Sequence, residues 1–262
     1  MGWTLEPEQL LHMGTSGWSY KDWVGNFYPA GLTQGKWLEF YVAQFNTVEV
    51  DSTFYAIPPR ARVENWKQIA PDGFEFALKV PQVITHEKSL HDCKAELKEF
   101  LDVISVLDDH LGPVLFQFPY SFKPDQLDNL LRYLDALPRA GFRFVIEIRN
   151  RGWFKTTLMD ELTARQIPLC LIDHPWMPRV LDITGAYAYV RFLGDQKRIT
   201  EFDHPQLDRA KDLQFWAGAA HEWVLRRVPI YAFFNNHFSG HAPTDARLFS
   251  EVLRQLRERR PA

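Results

Sequence analysis

The chain has 262 residues, 46% of them hydrophobic and 24% charged, with a formal net charge of -3. That length can bury a large core, as one barrel-sized domain or two small ones. The charge balance gives no general pull toward nucleic acid or an anionic membrane, and no apolar run approaches the roughly 18 residues of a membrane span.

Cys93 and Cys170 are too few and too distant for a disulfide framework, so a reducing, cytoplasmic setting is expected. Residues 1–11 lack the basic start and apolar run of a secretory leader. Aromatic content is high, 15% with nine Trp.

Residues 12–18 read as a short strand entering a Gly-containing turn, followed by an aromatic loop with Trp18, Tyr20, Trp23, Phe27 and Tyr28. Apolar residues at 37, 38, 41, 42 and 45 mark a helical stripe over 35–45. The second strand spans 47–53, with Val48 and Val50 on one face and Glu49 and Asp51 on the other. After Pro58 and Pro59, a helix over 60–70 is closed by Pro71. The third strand, 74–80, carries Lys79 and stops at Pro81, and a loop with Thr85 and His86 leads to a long helix from 93 to about 109.

The fourth strand spans 113–118, and Pro124 starts a helix through 134. The fifth, 143–150, reads RFVIEIRN: Phe144, Ile146 and Ile148 share one face, Glu147 and Arg149 the other. A helix over 154–166 and a sixth strand over 168–173 follow, and 174–185 is too short and Pro-broken for a helix. The seventh strand is 187–193, a strong helix covers 207–227, the eighth strand is 229–236, and the last helix is 246–257. Strict alternation without a linker predicts parallel strands with helical crossovers. Eight such units in about 250 residues predict a single closed (β/α)8 TIM-type barrel over 1–262, with its core at about 11–256. A doubly wound open sheet is the alternative.

Active sites of such barrels lie at the carboxyl ends of the strands. Those ends carry Ser16, Asp51, Lys79, Gln117, Glu147 with Arg149, Asp173, Arg191, and Asn235 with Asn236. Glu49 is expected deeper than Asp51. The amino ends read as undecorated. A closed ion-pair network is the plainer explanation for any one charge. A whole ring of them points to a ligand, because buried ion pairs are weak devices for stability.

The runs GTSGWSY (14–20), VEVDSTFY (48–55), LFQFP (115–119), EIRN (147–150), YVRF (189–192) and FNN (234–236) closely resemble the signature stretches of the YecE-like family, domain of unknown function 72. The resemblance covers about residues 11–256. It implies a TIM-type barrel and no established reaction. Two positions depart from the commoner pattern: Leu193 stands where a His often precedes Gly194, and Asp245 where an Asn is frequent.

The favoured expectation is a small-molecule enzyme of hydrolase or lyase type, acting on a polar, anionic substrate such as a sugar or sugar phosphate. Glu147 beside Arg149 should stay ionised, and the deeper Glu49 is the candidate protonated partner. Lys79, Arg149 and Arg191 suit a carboxylate or phosphate. Trp18, Tyr20, Trp23, Phe54, Tyr55, Trp153 and Trp176 are candidate stacking platforms, each with the alternative of a loop anchored in the core. The stretch 235–243, with His237 and Gly240 at the start of the last helix, is the expected anion seat, Arg191 adjacent.

Two alternatives remain. One is a metal-dependent phosphoesterase acting on nucleic acid, with His86, His174, His237 and His241 as candidates. No HExxH spacing supports it, so no cofactor is expected and a divalent metal is the minor option. The other is a non-catalytic barrel binding a ligand or single strands. The basic residues Arg254, Arg257, Arg259 and Arg260 read more simply as a solvated helix end. There is no GxSxG nucleophile and no P-loop.

Overall fold

In this computed structural model, residues 10–258 are described. Most of the stretch read for a leader, together with Arg259 and Arg260, lies outside them.

The strands are β1 Leu11–Thr15, β2 Thr47–Val50, β3 Glu75–Lys79, β4 Leu111–Gln117, β5 Phe144–Glu147, β6 Cys170–Asp173, β7 Ala188–Phe192 and β8 Ile230–Phe234. They form two four-stranded parallel sheets, ordered β1-β8-β7-β6 and β2-β3-β4-β5. The helices are α1 Trp37–Val42, α2 Arg60–Ile69, α3 Lys94–Ile104, α4 Leu127–Asp135, α5 Leu158–Ala164, α6 Ala210–Leu225 and α7 Ala242–Glu258. One follows each strand except β6, after which the Pro-broken stretch stays irregular. No helix among the described residues is long and apolar enough to cross a membrane.

The sheets meet at two short seams. Ser16 bridges Glu49 beside β1 and β2, where Gly17 N–H donates to the Glu49 carbonyl at 2.7 Å. Ile146 bridges Leu169 beside β5 and β6, with Ile146 N–H donating to the Pro168 carbonyl at 3.0 Å. Gly14 makes the first seam passable, because a Cβ there would stand 2.0 Å from the Thr47 carbonyl oxygen.

Strand side chains alternate between two cores, which is why the strands read as nearly continuous apolar runs. Ala77, Leu115, Val145, Tyr189, Tyr231 and Phe233 pack together from both sheets. Their strand neighbours Phe76, Leu78, Phe116, Ile146, Val190 and Phe234 enter the larger core beneath the helices.

The main departures from the sequence reading are at element ends. The helix expected to reach about 109 stops at Ile104, and a tighter helical segment with Asp108 at φ 53° carries the chain into β4. The last helix starts at Ala242, four residues earlier than expected, because Pro243 sits in the first turn, where a missing N–H costs nothing.

The expectation of undecorated amino ends fails. At that end Arg143 donates to Glu75 at 2.8 Å and to the Tyr231 hydroxyl at 2.6 Å, and Tyr231 donates to Glu75 at 2.7 Å. His12 stacks on Tyr231 with ring centroids 4.4 Å apart. These groups occupy the inner face at the strand starts, two positions along from Ala77, Val145 and Phe233.

Candidate functional site

At the carboxyl ends the polar side chains gather around Arg191, on β7. Arg191 is 3% exposed, and the two acids it joins, Glu49 and Glu147, are 0% exposed. Its Nε and Nη2 lie 2.9 and 2.7 Å from Glu49 Oε1, and its Nη1 lies 2.7 Å from Glu147 Oε2. A weaker approach, 3.4 Å, links Nη2 to Asp51 Oδ1.

Strand parity assembles this group. Glu49 alternates with Val48 and Val50, Glu147 follows Val145 on the same face, and Arg191 follows Tyr189. Glu49 further accepts from Ser16 Oγ at 2.8 Å and from the Tyr189 hydroxyl at 2.6 Å. Glu147 accepts from Arg149 Nε, and Cys170 Sγ approaches its Oε2 at 3.6 Å. Tyr20 borders the cluster, its hydroxyl donating to the Ser16 carbonyl at 2.8 Å.

The two acids share one guanidinium yet shift in opposite directions. Burial raises the Glu147 carboxyl, but Arg149, Arg191 and Lys79 outweigh it and bring it down to about 2. Burial also raises Glu49, and Asp51 adds to it; Arg191 and the Tyr189 bond oppose this without cancelling it. Burial lowers the Lys79 ammonium against the pull of Asp51. Lys79 Nζ lies 3.7 Å from the centre of the Phe54 ring. His86 meets the same ring edge-on at 4.8 Å, and burial with the nearby Lys79 and Arg149 charges depresses it to about 4.

A cavity of about 890 Å³ opens at the ends of β4 to β7, reached by Gln117, Arg149, His174 and Leu193. Gln117 pairs in register with Glu147, and Arg149 both faces the cavity and holds Glu147.

Several sequence-derived candidates lie elsewhere. Asp173 does not join the cluster. It shares a face with Leu171 rather than Ile172, and it accepts from Trp216 Nε1 at 2.7 Å on α6 and pairs with Arg179 at 2.7 Å. Trp153 is core: it stacks on Phe122 at 5.3 Å and donates to the Phe122 carbonyl at 2.8 Å. Trp18 packs edge-on against Trp66 of α2 at 5.7 Å. Tyr55 projects into solvent.

The expected anion seat is filled by protein. Asn236 caps α7, accepting from Ala242 N–H at 3.0 Å and from Trp23 Nε1 at 3.1 Å. Gly240, at φ 128°, lies under the 204–206 segment, where a Cβ would stand 2.3 Å from the His204 carbonyl oxygen. Asn235 accepts from His237 N–H at 3.0 Å, and the His237 ring bonds the Ile199 carbonyl at 3.0 Å. Among the described residues no three His, Cys, Asp or Glu side chains are grouped to hold a metal ion. His86, His174, His237 and His241 each have a separate protein partner.

Tyr189 and Cys170 were missed, and Phe54 and His86, named separately as a stacking ring and a metal-ligand candidate, meet instead around Lys79. Tyr189 had a usable signal, its position two residues before Arg191 on the same strand face. The meeting of His86 with Phe54 had none, because loop conformation alone brings them together.

A family model described as "Protein of unknown function DUF72" matches residues 12–262. The UPF0759 protein YecE of Escherichia coli K12 is 34% identical, over 94% of this chain and 93% of its own length. The UPF0759 protein YunF of Bacillus subtilis 168 is 26% identical, over 93% and 95%. A crystal structure of a DUF72 family protein from Thermotoga maritima MSB8 superposes with a TM-score of 0.80 at 29% identity, covering 93% of this chain and 99% of that one. A DUF72 family protein from Enterococcus faecalis V583, 21% identical with a TM-score of 0.72, shares the fold over 93% of this chain and 95% of its own. With matches running across nearly the whole chain in both sequence and structure, this protein belongs to the DUF72 family.

Proposed function

We propose that the two sheets are halves of one closed (β/α)8 barrel, and that its carboxyl-end mouth is the active site of an enzyme. The reaction is acid–base chemistry of hydrolase or lyase type on a small, polar, anionic substrate such as a sugar phosphate. The bridges at both seams and the shared inner core support the closed cylinder. A reducing compartment such as the cytoplasm suits two buried, free cysteines.

The observation that carries the chemistry is the pair Glu49 and Glu147. Two buried carboxyls on different strands share Arg191, and their surroundings drive their proton affinities apart. Separated carboxyls of this kind divide the roles of charge carrier and proton carrier. Glu147 remains a carboxylate that stabilises positive charge. Glu49 exchanges the proton, with Ser16 and Tyr189 holding its orientation. Arg149 and Lys79 attract the anionic group. Asp173 has no part, because its charge is spent on α6 and Arg179.

The test is calorimetric titration and turnover, followed by NMR, across a panel of phosphorylated sugars, with Glu147→Gln and Glu49→Gln beside the wild type. Turnover should fall at least about 100-fold in both variants, with ligand still bound by Glu49→Gln. A loss of thermal stability with ligand binding and turnover untouched would reduce the cluster to a structural ion-pair network.

A further inference from the structure

The three most exposed aromatic rings among the described residues are Tyr55, Tyr120 and Trp176, at 74%, 72% and 56%. Each stands on the loop just beyond a strand's carboxyl end, after β2, β4 and β6. Rings of this size normally bury most of their area, so Tyr120 and Trp176, both left in water at one opening, mark a binding surface rather than chance. Tyr120 and Trp176 line the same 890 Å³ cavity that Arg149 enters from below.

The charges of that cavity are equally one-sided. Its lining includes Arg149, Arg151 and Lys197 against the single acid Asp195. Arg151 is fixed beside Trp176, its Nε donating to the Trp176 carbonyl, and the Trp176 ring is braced edge-on by His174 at 5.3 Å. Gln117, Asn150 and Gln196 add amides able both to donate and to accept. Flat apolar faces, amides and spare cations in one recess match the three parts of a nucleotide: base, base edge and phosphate. The volume suits a ligand of that size, within the roughly 300–1,000 Å³ of small-molecule sites, and is generous for a triose or tetrose phosphate.

From the exposed rings and the cationic lining of one cavity, we infer that the mouth binds a nucleotide unit, its base stacked on Trp176 or Tyr120 and its phosphate on Arg151 and Lys197. This rests on the mouth being the substrate site and names the class of substrate it takes. The unit is either a free nucleoside monophosphate or the end of a single strand, since both present the same chemistry.

The experiment is calorimetric titration of the wild type, Trp176→Ala, Tyr120→Ala and Arg151→Ala with AMP, TMP, tetrathymidylate and ribose 5-phosphate. The substituted rings are exposed, so those variants should fold, and circular dichroism checks each one. AMP or TMP should bind at least about tenfold more tightly than ribose 5-phosphate. Trp176→Ala or Tyr120→Ala should weaken the nucleotide about 5- to 100-fold, the range of one lost stacking contact, and leave ribose 5-phosphate unchanged. Arg151→Ala should weaken both. Tetrathymidylate tighter than TMP identifies a strand end, and equal affinity identifies the free nucleotide. If ribose 5-phosphate binds as well as AMP and neither ring matters, the nucleotide assignment falls while the anionic substrate stands. If no phosphorylated ligand binds, both fall.

Discussion

Replacing Arg191 by Met removes the one cation that both Glu49 and Glu147 contact directly, while both carboxyls stay sealed from water. Removing one partner of a buried ion pair costs about 3–5 kcal/mol, because the remaining charge is left uncompensated. For a chain of this size that is a fall of roughly 6–20 °C in Tm. The deficit should depend on pH. Without the guanidinium, Glu49, already raised by burial, moves further above its unfolded value, while Glu147 keeps Arg149 and Lys79 as partners. An acid raised in this way contributes stability that is fully present below its unfolded pKa and is lost as pH rises through its folded pKa. The variant should therefore be least impaired near pH 4–5 and most impaired near pH 8. Urea unfolding followed by tryptophan fluorescence at both pH values measures this. Adding Glu49→Gln should restore part of the loss at pH 8. A deficit below about 1 kcal/mol, equal at both pH values, would refute the view that Arg191 is the counter-ion holding this cluster together.

Asp245 offers a second pH test. Burial raises its carboxyl to about 7, although Ser239 Oγ donates to it at 2.7 Å. Its favourable contribution is present below the ordinary Asp range and disappears as pH rises toward 7. Asp245→Asn should thus narrow the difference in unfolding free energy between pH 5 and pH 8 by about 2–3 kcal/mol, and an unchanged difference would place the titration elsewhere. Gly240→Ala should lower Tm through both its backbone angle and the 204–206 segment above it, by about 1–3 kcal/mol in unfolding free energy; an unaltered melt would mean that the segment lifts away freely. Lys79 should react with an amine-directed acylating reagent at lower pH than exposed lysines do, since burial favours its neutral form. Mass-spectrometric labelling across pH reads this directly, and a profile matching the surface lysines would contradict it.

The strand and helix alternation was legible because most strands carry apolar residues on both faces and Pro or Gly punctuates the ends. Side-chain parity also located Glu49, Glu147 and Arg191 correctly relative to one another. The same rule misplaced Asp173 only because position in the chain was weighed above its phase: it alternates with Ile172, which faces inward, so it must face the helices. The amino-end group escaped notice because Glu75, Arg143 and Tyr231 sit within otherwise apolar strand starts, and nothing local links residues this far apart. The occluded α7 start was illegible for a different reason. The 204–206 segment that covers it has no periodicity, so its course depends on contacts made only in the folded chain. Trp153 and Trp18 show that an aromatic residue in a loop does not announce whether it anchors or greets a ligand.

The arrangement of Glu75, Arg143 and Tyr231 has one more implication. These bulky, mutually bonded side chains fill the inner face at the strand starts, so in the proposed barrel the recess by Arg149 would open only at the carboxyl end. In the enzyme proposed above, product would therefore leave by the doorway through which substrate arrives.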